Sequence, residues 1–150
     1  MTNPKIAWHF LPENKRLRYD DDRHIQIGKT YRVRNKEPIQ LCANGMHASV
    51  DILDAIKYAP GPILCKVEMG EDCILGDNKC VSSSRKVISM MDATGLLHEF
   101  ACKCAERALK KAEVTDGRCW KVIKVKRQWR KNLATDKELA AAWGAAWGAA

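Results

Sequence analysis

The sequence predicts an α+β fold, and three observations carry that reading. Residues 41–70 run as strand, helix and strand in one compact stretch. Ile6–Leu11 and Thr30–Arg34 are short segments with strand character, the second alternating at period two as a half-buried strand does. From Asp92 to about Ala112 the apolar residues recur at helical spacing.

In chain order, Ile6-Ala7-Trp8-His9-Phe10-Leu11 is a strand ended by Pro12. Residues 16–23 form a charged loop with the acidic run Asp20-Asp21-Asp22. Leu41-Cys42-Ala43-Asn44 leads into Gly45-Met46-His47-Ala48-Ser49, and Ser49 is placed to cap a helix over Val50–Ala59. Pro60-Gly61-Pro62 stops that helix, and Ile63–Gly70 is the next strand. Gly76-Asp77-Asn78 marks a turn. Val81–Met91 is another strand, with Ser82-Ser83-Ser84 as a kink or polar edge. The helix that follows carries Leu97, Ala101, Ala105, Ala108 and Leu109 as its apolar stripe, widened by Leu96, Phe100 and Cys104. Glu99, Lys103, Glu106, Arg107 and Lys110 fill its other side, with Glu99 paired to Lys103. Arg118–Val125 reads as a late strand. Beyond Thr135, Asp136 caps an alanine-rich helix in which Ala-Ala-Trp-Gly occurs twice. The expected organisation is one domain over residues 1–126 and a basic, Ala/Trp/Gly-rich helical tail over 127–150, separable from the domain.

The net charge of +8 favours an acidic partner: nucleic acid, a nucleotide or an acidic protein surface. Lys124–Lys131, with Trp129 inside it, pairs phosphate-binding cations with a ring that stacks on a base. Trp143 and Trp147 lie four apart and share a helix face, which suits docking or self-association. The opening residues hold no long apolar signal segment, and Leu139–Ala150 is too short to span a bilayer, so no membrane partner is expected. With seven cysteines, an odd number, reduced thiols in the cytoplasm are the simplest reading. Cys42-x4-His47, Cys73-x6-Cys80 and His98-x3-Cys102-x-Cys104 all lack the spacing that presents two thiolates to one zinc, and no metal is expected.

A histidine just before the first helix and a tyrosine on its last turn converge on one pocket. His47 and Tyr58 then set a titratable ring beside a flat one, which suits a flat, charged or polar ligand.

The run from Gly45 to Gly70 resembles the core of the ADP-ribosyltransferase fold. Gly45-Met46-His47-Ala48-Ser49 is similar to the Gly-Ile-Tyr-Phe-Ala segment of poly(ADP-ribose) polymerases. Tyr58 falls where those enzymes place a tyrosine against nicotinamide, and Ile63–Gly70 is similar to their following strand. Ala7-Trp8-His9 resembles their Leu-Trp-His, whose histidine holds the adenine-side ribose of NAD. The same run is similar to the His-Val-His-Leu-Ser-x-Asp segment of RNA 2′-phosphotransferases, which carry histidine at the position of His47 and share Ser49 and Asp51. Gly28-Lys29-Thr30-Tyr31, Cys42-x-x-Gly45-x-His47-Ala48 and Asp77-x-Lys79 also resemble an uncharacterised domain of phages and prophages. The resemblance covers roughly residues 5–90, with two departures. Phe10 stands where polymerase-type enzymes have glycine, and the late strand holds no acid where they carry a catalytic glutamate.

The resemblance implies a split β-sheet core with flanking helices, and NAD as the cofactor. His9 and His47 would be catalytic, and His9, Gly45, His47, Ser49 and Tyr58 would bind the cofactor. His47 and Tyr58 would contact nicotinamide, and backbone N–H groups at Ser49 would receive an anionic or carboxamide group. Reaction would proceed by loss of nicotinamide through an oxocarbenium-like state, with a host protein or nucleic acid as acceptor. Without the glutamate, a glutamate-free reaction or plain nucleotide binding stays open, and a phage-type protein would act in the host cytoplasm. The alternative is a non-enzymatic phage module that binds nucleic acid or a host defence protein.

Overall fold

The structure is a computed structural model that describes residues 6–19 and 21–149. Met1–Lys5, Asp20 of the acidic run and the terminal Ala150 lie outside the described residues. The chain forms two compact units, one up to Ala93 and one from Thr94. The fold is α+β, with two antiparallel sheets and four helices among the described residues.

The first unit holds β1 (Ile6–Leu11), β2 (Thr30–Arg32), β3 (Met46–Ala48), α1 (Ile52–Ile56), β4 (Ile63–Met69), β5 (Ile74–Leu75), β6 (Cys80–Ser82) and β7 (Ser84–Asp92). One sheet runs β1-β4-β7-β2 and the other β3-β6-β5. The serine run explains why there are two sheets. The chain leaves β6, turns at Ser83 and enters β7 in the other sheet. Ser82 Oγ accepts from the N–H of Gly70 at 2.9 Å and of Ser84 at 3.1 Å, while the Asp72 carboxylate receives the Ser83 N–H. These side chains take the hydrogen bonds that a continuous strand would have given to its neighbours.

Alternation then decides which side chains enter the core. Ala7 and Leu11 of β1, Ile63, Cys65, Val67 and Met69 of β4, and Val87 of β7 pack with Tyr31 of β2 and with Met46, Ala48 and Cys80 of the second sheet. Burial lifts the thiols of Cys65 and Cys80 to about 11 and about 12, so both behave as small apolar groups. Leu11 is among the most deeply buried, and its truncation to alanine would cost about 2–5 kcal/mol.

The first helix is shorter than expected. Its cap is Asp51, whose side chain accepts from the Leu53 N–H at 2.7 Å, and it spans five residues. Ser49 is not the cap: it is buried, and its N–H and C=O pair with Trp8 of β1. Residues 41–44 form a turn, and the strand begins at Met46.

The second unit is all helix: α2 (Thr94–Lys111), α3 (Gly117–Arg130) and α4 (Asp136–Trp147). Arg118–Val125 is therefore helix rather than a late strand. Its Val122, Ile123 and Val125 are buried together, which strand alternation would not allow, and Asp116 caps it through the Arg118 N–H. The expected boundary between residues 126 and 127 falls inside α3 and gives way to one after Ala93. The tail is packed rather than detached: α4 lies on α3, placing Leu139, Ala142 and Ala146 in one core with Cys102, Val122, Ile123 and Val125. Thr135, not Asp136, caps α4, in a reciprocal capping box with Glu138. On α2 the inward stripe runs through Cys102, Ala105 and Leu109, while Leu96 and Phe100 are exposed. Arg127 of α3 pairs with both Glu99, at 2.8 Å, and Glu106, so Glu99 is not paired with Lys103. Trp143 and Trp147 are exposed on α4.

Candidate functional site

A cleft of about 720 Å³ opens in the first unit, a size that suits a nucleotide-sized ligand. Its walls come from β1, β3 and the loops beside them, and it brings His9, Gly45, His47, Ser49 and Tyr58 together. The Trp8–Ser49 pair holds the two strands in place, with N···O distances of 2.7 and 2.9 Å. That pairing consumes the Ser49 N–H, so Ser49 shapes the wall and offers no free backbone donor there. Gly45 has φ +137°, and a Cβ at this position would collide with Val81. Glycine is thus required for the chain to turn into β3.

His47 is held by the main chain on both sides. The Cys42 N–H donates to Nε2 at 3.0 Å, and Nδ1 lies 3.1 Å from the Gly45 carbonyl. The first bond requires a lone pair on Nε2, which fixes the neutral tautomer with the proton on Nδ1. Cys42 reaches it through a left-handed backbone with φ 64°. Burial lowers the pKa of His47, assisted by Lys79 and Arg85 and opposed by the Gly45 and Gln40 carbonyls. The ring therefore staples residues 42–45 to β3 and turns its carbon edge and face, not a free nitrogen, to the cleft.

His9 lies on β1 opposite Cys65 of β4. Burial holds its pKa well below the ordinary value, and the charge of Arg85 adds to the effect. It is a neutral imidazole at pH 7. Tyr58 sits just past the end of α1 rather than on its last turn, and is 46% exposed. Its hydroxyl donates to Asn78 Oδ1 at 2.9 Å, and Lys79 Nζ lies 4.5 Å from the ring centroid.

Arg85 was absent from the sequence-based site. It stands on β7 opposite Tyr31 of β2 and Met69 of β4, both core residues, and is 3% exposed. Its Nη1 donates to the His47 carbonyl. No described carboxylate lies within ion-pair distance, and Asp21 acts on it only through space. Burial pulls its pKa down to about 10, yet it remains a cation at pH 7. The signal for it was present in the sequence: Arg85 and Val87 alternate onto one face, so a charge stands at an inward strand position.

Arg16, Arg18, Arg34, Lys79 and Arg85 line the cleft, against the single carboxylate of Asp21. Asp21 is already bound to Arg23 at 2.6 Å. The cleft therefore attracts anions, and among the described residues it holds no uncommitted carboxylate to act as a base. No group of three or more potential metal ligands occurs among the described residues, and no helix is long and apolar enough to cross a membrane.

No curated protein and no solved structure matches the chain. Residues 10–99, more than half of it, match the family model described as a domain of unknown function, DUF7666, and the protein belongs to that family.

Proposed function

We propose that the cleft binds a nucleotide, with NAD as the leading ligand and transfer of its ADP-ribosyl part to a host macromolecule as the activity. One observation carries the reading. Arg85 is a buried guanidinium without a carboxylate partner among the described residues, in a cleft it shares with two neutral imidazoles and a half-exposed tyrosine. A buried charge of this kind is costly unless something compensates it, and a phosphate supplies the missing anion. The resemblance of Gly45–Gly70 to ADP-ribosyltransferases supports NAD over other nucleotides.

NAD, when bound, supplies a glycosidic C–N bond activated by its nicotinamide leaving group. The residues do the rest. Arg85 neutralises phosphate, and Tyr58 offers one face to a flat ring. His9, neutral at pH 7, exchanges a hydrogen bond with a ribose hydroxyl. His47 acts as a positioning residue through the turn that it staples.

A second reading is favoured by the commitment of Asp21 to Arg23. With no free carboxylate among the described cleft residues to activate an acceptor, the cleft binds its nucleotide without turning it over. Incubation with NAD and host lysate separates the two. Release of nicotinamide with a modified target supports transfer. Saturable NAD binding without nicotinamide supports the binding module, and absence of NAD binding removes both.

A further inference from the structure

The helical unit carries twelve Lys and Arg against six Asp and Glu, so it holds +6 of the chain's net +8. The stretch expected to touch nucleic acid is reorganised by the fold. Arg127 is spent on Glu99 and Glu106, and Trp129 donates to Asp136 at 2.6 Å while packing against His98 and Lys126. Neither is free to contact a partner.

What remains is a different surface. On α3 and its C-terminal cap, Lys121, Lys124, Gln128 and Lys131 recur at spacings of three and four, which puts them along one side. The three lysines are exposed, while Val122, Ile123 and Val125 of the same helix are buried. On α2, Lys103 and Lys110 share a stripe with Glu99 and Glu106, the two carboxylates that reach α3. Both are exposed. None of these five lysines has an ion-pair partner among the described residues. A shallow groove of about 230 Å³ takes Lys124, Gln128 and Lys131 into its lining, beside Trp120, Leu133 and the Arg127–Glu106 pair.

We infer that the α2–α3 face of the helical unit binds the phosphodiester backbone of a nucleic acid through Lys103, Lys110, Lys121, Lys124 and Lys131. The lysines of this helix span about 15 Å from Lys121 to Lys131 at 1.5 Å per residue, the length of about four phosphate steps of one duplex strand. Leu133 is the exposed apolar side chain that borders the lysines in the groove, whereas binding to an anionic membrane needs a continuous apolar face to enter the lipid. Nucleic acid is the favoured partner for that reason. The contact is to the backbone, so it is independent of sequence. It stands apart from the cleft reading.

The test uses the full chain, with RNA, single-stranded DNA and duplex DNA oligonucleotides and phosphatidylserine vesicles as separate probes. Lys121, Lys124 and Lys131 are changed together to Gln. Changing Lys29, Lys36 and Lys86 of the first unit to Gln removes the same charge elsewhere, and Arg85→Met disables the cleft. Circular dichroism verifies that each variant is folded. The expected result is retention of nucleic acid at low salt, a loss of about tenfold or more in the α3 triple variant, and a salt slope shallower by about two to three. The other two variants keep the wild-type affinity. No retention of any oligonucleotide overturns the inference, as does an unchanged α3 variant or an equal loss in the first-unit variant. Loss confined to Arg85→Met moves the contact to the cleft and overturns it, and binding to vesicles alone assigns the face to lipid. Comparison of the RNA and DNA arms identifies which nucleic acid is bound.

Discussion

The Tyr58 hydroxyl donates to Oδ1 of Asn78 at 2.9 Å, and this bond, not a helical turn, fixes the ring at the edge of the cleft. Lys79 covers the same ring at 4.5 Å from its centroid. The contact spans twenty residues of chain, from the end of α1 to the turn before β6.

Tyr58→Phe removes one exposed hydrogen bond and is expected to cost about 0.5–1.5 kcal/mol or less. Tyr58→Ala should also unfold near the wild-type temperature, because a half-exposed ring packs little of its surface. It should weaken nucleotide binding about tenfold or more, the loss of one stacked face. Urea titration paired with calorimetry reads both effects. A large loss of stability with intact binding would make Tyr58 a structural residue.

Arg85→Met tests the buried cation. The pKa of Arg85 is lowered to about 10 from an ordinary 12.5. The unfolded chain then holds this proton more tightly than the folded one. The difference opposes folding by roughly 3 kcal/mol at neutral pH, and is relieved as pH rises from about 10 towards 12.5. Methionine removes that opposition but leaves the His47 carbonyl without its donor, a loss of about 1–3 kcal/mol. The variant should therefore fall within about 2 kcal/mol of wild type, and any advantage should shrink above pH 10. A loss beyond about 4 kcal/mol would mean that Arg85 holds the fold together.

Acid should destabilise the first unit through its two cleft histidines. Both have folded pKa values below the ordinary 6.5, so the unfolded chain takes up protons first. Stability is constant above about pH 6.5 and falls as pH drops through the window below it, by up to about 1.4 kcal/mol per pH unit for each ring. Replacement of His9 by Gln should flatten the slope in urea melts between pH 7.5 and 5. For His47, protonation places an N–H against the Cys42 N–H, so hydrogen exchange at residues 42–45 should accelerate in acid. Unchanged exchange there would contradict the staple.

Truncation before Lys137 removes most of α4 and with it Leu139, Ala142 and Ala146 from the helical core. The loss of helical circular dichroism should exceed that of the residues removed, since α2 and α3 lose their shared packing. If helicity falls only by the deleted length, α4 is an independent appendage.

Most of the first unit was legible because its signals are local. Pro12 and Pro60-Gly61-Pro62 end elements, and period-two alternation reveals the strand at Thr30, whereas the single strand expected over Val81–Met91 is divided into β6 and β7. The cap of α1 was assigned to Ser49 because serine and aspartate cap equally well, and the choice was made by Trp8, forty residues away. Arg118–Val125 looked like a strand because Val and Ile favour strands. The buried trio of Val122, Ile123 and Val125 fits only a helix, and that burial depends on α2 and α4. His9, His47 and Tyr58 line one cleft, but the hydrogen bonds that occupy His47 are tertiary facts. Arg85 was legible in principle, as a charge on the inward face of an apolar strand.

The central claim is that the cleft is an anion site organised by Arg85. Isothermal titration of the full chain with NAD, and separately with pyrophosphate, tests it most directly, in wild type and in folded Arg85→Met. Saturable binding of NAD to wild type, weakened by competing pyrophosphate and by salt and lost about a hundredfold in Arg85→Met, is the expected result. Absence of binding to wild type, or equal affinity in the two proteins, would contradict it.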